Sequence, residues 1–523
     1  MKKIIYAIIA IGGLLSLSAC SENSLITDPT DSMSKGQITE DGQHALVSLN
    51  GIYRSMYTPG WSTEFNIHQC FGISAYNLAS ELMGDDLMMG APGSGWFWYD
   101  AAYNVKGRFT SDGWRSYDLW NAHYKWIANA NYLIAAENEM GGDESDKNYA
   151  IGQAYAIRGY SYFMLAQWFA RTYKGHENEK CVPIYTEPTF KETTGKPRST
   201  VSEVYTQITS DLDKAIALLQ GLPQQHPSHI SYAVAQGIRS RVALVMEDWA
   251  TAESAAEAAI ASTNAEITEV KDFVGNNDVN NANVMWGAEI INDQTSGFAS
   301  LYAHMDCAAS YGTRAPKMCT ASLYNKIADT DARKEAWFPT IDVENEDDPY
   351  QAFAPEKWRG GHLQRKMVFR DFSQWIGDYI WMRVEEMYLT AAEAECRLGK
   401  EGEAKAHLMA LMEKRDPSYT CDKTGTAMGT LTSDETGSLL EEIILQRRIE
   451  LWGEIGRMFD IKRLKQGFVR PASDGWHNGC SLANRPATKN PENYMWVLTI
   501  PQSEFDGNKN MTLQDDQNPL GDE

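Results

Sequence analysis

Apolar residues recur at helical spacing in four stretches of the chain. The first runs through Trp120, Tyr124, Ile127 and Ile134, breaks at Gly141-Gly142-Asp143, and resumes through Tyr155, Gly159, Tyr162, Phe163, Ala166 and Phe169. The second runs through Val204, Ile208, Leu212, Ala215 and Leu219 and breaks at Gly221 and Pro223. It resumes through Ile238, Val242, Val245 and Trp249 and leads into an Ala-rich stretch at 251–261. A third, from Val384 through Tyr388 and Ala391 to Leu398, turns at Gly399-Lys400-Glu401-Gly402 and returns through Ala404, Leu408 and Leu411. Gly399 stands where a helix would end in a left-handed cap. The fourth runs through Leu440, Ile444, Leu451, Ile455 and Phe459 to Leu464.

Paired helices with Ala and Gly at their crossing points, repeated along the chain, predict an all-α scaffold of tetratricopeptide-like helix pairs. Their irregular spacing makes it a degenerate array and not a regular solenoid. The scaffold is expected over about 119–261 and 381–466. Between and after these lie segments rich in Gly, Asn, Asp, Pro and aromatics, about 58–118, 262–380 and 467–523. Connections that long are usually functional, and they predict an irregular, loop-rich ligand-binding lobe.

The amino terminus carries an address. Lys2 and Lys3 precede an apolar run from Ile4 to Leu17, too short to span a bilayer and typical of a secretory signal over residues 1–19. Its ending, Leu17-Ser18-Ala19-Cys20, resembles the bacterial lipoprotein signal, in which Cys20 is acylated and becomes the mature terminus. Residues 20–35 then read as a lipidated tether. No other segment approaches a membrane span, so attachment is expected through the lipid alone.

Composition narrows the function. An apolar fraction of 43% and an aromatic fraction of 11% exclude a disordered chain. The excess of 70 Asp+Glu over 47 Lys+Arg gives a formal charge of -23, which repels phosphate backbones and excludes nucleic acid as a partner. The 25 Tyr and 16 Trp suit a wet binding surface as well as a helical core. The seven cysteines after Cys20 are scattered, with no metal-ligand spacing, although Cys307 and Cys319 could pair across a loop. His68, His123 and His304 stand alone, and no metal or cofactor is expected. Serine-hydrolase, zinc-protease, P-loop and dinucleotide signatures are absent.

Several segments then agree, in order, with one family. They are Ala154-Tyr155-Ala156-Ile157-Arg158-Gly159-Tyr160-Ser161-Tyr162-Phe163, Arg241-Val242-Ala243-Leu244 leading to Asp248-Trp249, and Arg383-Val384-Glu385-Glu386-Met387-Tyr388-Leu389-Thr390-Ala391-Ala392-Glu393-Ala394. Gln446-Arg447-Arg448-Ile449-Glu450-Leu451-Trp452-Gly453-Glu454 follows, with Phe459-Asp460, Arg463-Leu464, Ile500-Pro501 and Gln517-Asn518-Pro519. In these the chain resembles SusD/RagB-type outer-membrane lipoproteins. The resemblance implies a binding protein without catalysis, anchored on the outer leaflet and exposed at the cell surface. It would capture glycans, or peptides as some members do, and cap a SusC-like TonB-dependent transporter. The helix pairs would face that partner and the irregular lobe would bind ligand.

Candidate site residues cluster first at Gly93-Ser94-Gly95-Trp96-Phe97-Trp98-Tyr99-Asp100. Neighbours in an extended chain alternate sides, so Trp96, Phe97, Trp98 and Tyr99 cannot all point inward, and at least two rings should be exposed or packed beneath a loop. Exposed rings would stack on the apolar faces of sugars while Asp100 accepts hydrogen bonds from hydroxyls; buried ones would plug the loop onto the scaffold. In the family this loop region contributes to the glycan cradle. Asp85, Asp86 and Asp100 could hydrogen-bond a sugar or cap turns. They also raise the alternative of a secreted glycan-degrading enzyme, which needs two carboxylates about 5–10 Å apart. Tyr302, Tyr311 and Arg314 in the 298–316 loop, and Trp358, Arg359, His362 and Trp375 beyond it, are further candidates. Arg447, Arg448, Glu450 and Glu454 read instead as interhelix ion pairs around a core, as do Glu385, Glu386, Glu393 and Glu395.

Overall fold

A computed structural model describes residues 39–90, 96–103, 111–190, 192–273, 275–341, 361–477, 479–480, 482 and 486–519. The signal, Cys20 and the tether lie outside them, as do Trp358 and Arg359. The long helices are α1 (Gly42–Ser55), α2 (Ile73–Leu82), α3 (Trp114–Ala135), α4 (Glu144–Phe169), α5 (Val201–Leu219), α6 (Tyr232–Met246), α7 (Trp249–Ser262), α8 (Val384–Arg397), α9 (Glu401–Met412), α10 (Leu439–Glu450) and α11 (Arg457–Arg463). The chain is all-α in character, with two short antiparallel ladders among the described residues. Strand β1 (Leu87–Met89) pairs with β3 (Lys317–Cys319), and β2 (Val284–Ala288) pairs with β4 (Tyr379–Arg383).

Helices α3 to α9 pack each on the next, and α10 lies on α8. Local chemistry sets their ends. Thr200 and Glu203 cap α5 reciprocally, each side chain accepting the other's backbone N–H. Gly399 ends α8 at φ 77°, with Lys400 N–H donating to the Glu395 carbonyl at 2.8 Å, the left-handed cap expected there. Helices α4 and α5 approach closely because α4 offers glycine at the contact. A Cβ on Gly152 would lie 2.8 Å from Leu219, and one on Gly159 3.1 Å from Leu212. Arg158 then reaches Asp211 across the same seam at 2.6 Å.

The described residues between 263 and 383 form a lobe inserted between α7 and α8, two helices that pack directly on one another. A buried ionic network ties lobe to scaffold. Arg383, at the end of β4, reaches Glu450 at 3.0 Å, Glu454 at 2.7 Å and Glu385 at 3.0 Å. Arg415 and the lobe's Arg333 complete the surroundings of Glu450, at 2.9 and 3.1 Å. Burial alone would raise the Glu450 carboxyl, but Arg415 and Arg383 outweigh it and hold it well below the usual range. Arg447 pairs with Asp460 at 3.0 Å. These charges are architecture, as their helical spacing predicts.

Two expectations change. Helix α2 lies within the 58–118 segment that reads as loop, and nearly all of its residues are buried. Cys307 and Cys319 are separate, buried thiols. Cys319 belongs to β3, whose partner is β1, and the Cys307 thiol lies 3.7 Å from the carbonyls of Met305 and Lys317. Among the described residues no helix is long and apolar enough to cross a membrane.

Candidate ligand-binding surface

The Trp96–Asp100 segment is not extended. Trp96 and Phe97 both take left-handed φ angles, 52° and 73°, and a single helical turn, Trp98–Ala101, follows. Two such residues in succession are costly and need outside support. Gln69 supplies it by accepting the Phe97 N–H. The Phe97 ring is buried against Phe71 and edge-on to His304, with the Arg115 guanidinium 5.1 Å from its centre. This kink, rather than strand alternation, sorts the four rings. Phe97 is the plug, Trp96 and Trp98 are half-buried, and Tyr99 is 42% exposed.

Trp96 meets Tyr311 from the 298–316 loop, their centroids 4.8 Å apart. Tyr311 continues to Phe298 at 5.2 Å, Phe298 to Trp375 at 5.0 Å, and Trp375 to Phe372 at 5.3 Å. Phe298 and Phe372 are 47% and 46% exposed. The result is a ledge of rings drawn from three separate segments. Behind it, Tyr311 Oη and His68 Nδ1 share a hydrogen bond of 2.7 Å. Buried His304 donates from Nε2 to the His68 carbonyl at 2.6 Å, and burial lowers its pKa far enough to keep it neutral. Exposed polar groups edge the ledge: Arg314, and Asn292 donating to Gln374 at 2.7 Å. Flat rings with amides and a guanidinium beside them suit ligands that have both apolar faces and hydroxyls.

The other candidates lie elsewhere. Trp98 faces His477 edge-on at 5.3 Å. Asp100 is fully buried 3.4 Å from Arg115. Tyr302 is buried, its hydroxyl wedged between the carbonyls of Asn276 and Asp378, and a Cβ on Gly377 would lie 2.6 Å from its ring. It locks the lobe. His362 stacks on Tyr324 at 3.5 Å. Asp85 and Asp86 are buried beside Arg448 and Arg457: Asp86 meets Arg448 at 2.6 Å and Asp85 meets Arg457 at 2.9 Å. Burial would raise the Asp85 carboxyl, but Arg457 and Arg448 prevail and bring it down to about 2. That direction is opposite to the one a general acid requires. Sequence reasoning missed Phe298, Phe372 and His68 as ledge members, since single rings in polar segments carry no period.

Comparison with known proteins agrees with this architecture. Residues 93–244 match a SusD-like family described as starch-binding and associating with the outer membrane. A SusD-like protein of Formosa agariphila is 23% identical over 400 residues, 69% of this chain and 74% of that one. The crystal structure of a SusD-like carbohydrate binding protein from Bacteroides vulgatus superposes with a TM-score of 0.75 at 26% identity. That match covers 92% of this chain and 99% of that one. A surface glycan-binding protein A from Bacteroides fluxus shares the fold at 16% identity, with a TM-score of 0.66 over 92% and 99% of the two chains. The matched family segment takes in the Trp96 kink and the close α4–α5 seam, and the superposition covers 92% of this chain, so family model, relative and solved structure together support a SusD-like protein.

Proposed function

We propose that the protein captures a glycan at the cell surface and passes it to a SusC-like TonB-dependent transporter, held to the outer membrane by acylated Cys20. The ledge of Trp96, Tyr311, Phe298, Trp375 and Phe372 carries this reading. Half-exposed rings about 5 Å apart give successive sugar units a stacking surface, and Arg314, Asn292 and Gln374 stand ready for hydroxyls. The carbohydrate-binding description of the Bacteroides vulgatus relative supports the same ligand class. Asp85 and Asp86, which a glycosidase would use, serve here as partners of arginine.

Calorimetric titration tests the reading, using the glycan chosen from an array that also carries peptides. Trp96→Ala combined with Tyr311→Ala should weaken binding at least tenfold, each lost stacking contact contributing about 1 kcal/mol. Melting should shift little, because both rings are only half-buried. Unchanged affinity, or selection of peptides alone, would overturn it.

A further inference from the structure

A second aromatic surface adjoins the ledge through the loop that carries His68. Residues 60–70 form a loop closed on itself, the Gly60 N–H donating to the Cys70 carbonyl at 3.1 Å. His68, on one side of this loop, stacks behind Phe298 and Tyr311. On the other side, Trp61 and the 70% exposed Phe65 line a cleft of about 540 Å³ with Trp114, Tyr117 and Gln502. Tyr117, Asn121 and Ser503 also line a second hollow of about 280 Å³ that continues to Tyr124 and Tyr185. The two hollows make one groove. Positions 114, 117, 121, 124, 128 and 131 of α3 form its floor at a spacing of three and four, and Tyr117 to Asn131 spans about 20 Å.

The lining tells what would fill it. Rings alternate with Asn121, Lys125, Gln502 and Ser503, and the aliphatic side chains are few, so an apolar helix would find no continuous stripe. The acidic chain offers nothing to a nucleic acid. Rings with amides and hydroxyls repeat the chemistry of the ledge. Phe65 and His68 are three positions apart in the chain, which keeps their Cα atoms within about 11 Å.

We infer that a glycan chain leaving the ledge crosses the 60–70 loop and continues along the α3 groove, so that the protein recognises a polymer and not a short oligosaccharide. This rests on the ledge reading above. The probes are amylose, xylan, mannan, laminarin and levan, each as a tetrasaccharide and as a dodecasaccharide. They are titrated against the mature chain, the ledge variant Trp96→Ala/Tyr311→Ala, and a groove variant Phe65→Ala/Tyr117→Ala, whose two rings are exposed and safe to remove. For the glycan that binds, the groove variant should lose at least tenfold in dodecasaccharide affinity with tetrasaccharide affinity unchanged, while the ledge variant loses both. A groove variant that binds both lengths like the unmodified chain overturns this inference and leaves the ledge standing. A ledge variant that keeps its tetrasaccharide affinity, or a chain that binds no probe, overturns the ledge reading and this inference with it.

Discussion

At Asp85 burial and charge compete, and two guanidinium groups decide the outcome. With its carboxyl near 2 in the folded protein against 3.8 in the open chain, Asp85 contributes roughly 2 kcal/mol of stability. A lowered carboxylate gives that contribution in full above the unfolded value and loses it as pH falls through the folded one. Asp85→Asn should therefore cost about 2 kcal/mol at pH 7, Asp86 still facing Arg457 at 2.9 Å. The gap to the unmodified chain should narrow between pH 4 and pH 2, which denaturant titration across that range would show. An equal deficit at every pH would mean that the ion pair contributes nothing. Single residues differ in how far sequence reveals them. Trp96 was legible because four consecutive aromatic residues fit no element. Phe298 and His68 were not, because they meet only through the fold. Asp85 beside an aromatic run looked like ligand chemistry, since the arginines that claim it lie more than 350 positions away in the chain.

Among the elements, the amphipathic ones announced themselves. Helix α5 has one buried stripe, Val204, Ile208, Leu212, Ala215 and Leu219, the same positions that its spacing marks. Helix α2 has no stripe to read, because it is enclosed on every side. Its period vanishes for the same reason that it is stable. The fourth stretch breaks into two helices, as expected of each stretch, and the break falls at Gly453 and Gly456, at φ 80° and 94°, although the apolar rhythm runs on through it. The α4–α5 seam gives a test at this scale. Gly159→Leu would drive a side chain into Leu212 and the Ile208 carbonyl, overpacking that should cost about 1–3 kcal/mol or more. A melting temperature equal to that of the unmodified protein would show that the seam is loose.

For the whole molecule, attachment and partnership are the tests. Cys20→Ala should be exported but released into buffer when expressed without a transporter, as fractionation of washed membranes would reveal. In mild detergent the native protein should co-purify with a β-barrel. A variant that stays on the membrane by itself would refute the lipid anchor. The inserted lobe has a further consequence, for the order of synthesis. Helix α7 is made about 120 residues before α8, its packing partner, so one face of the array stays uncovered while the lobe is translated. The residues of α7 that the finished fold buries are Ala252, Ala255, Ala256 and Ala259. Methyl groups expose little apolar area, and a growing chain that must wait for its other half offers stray partners a surface too small to hold them.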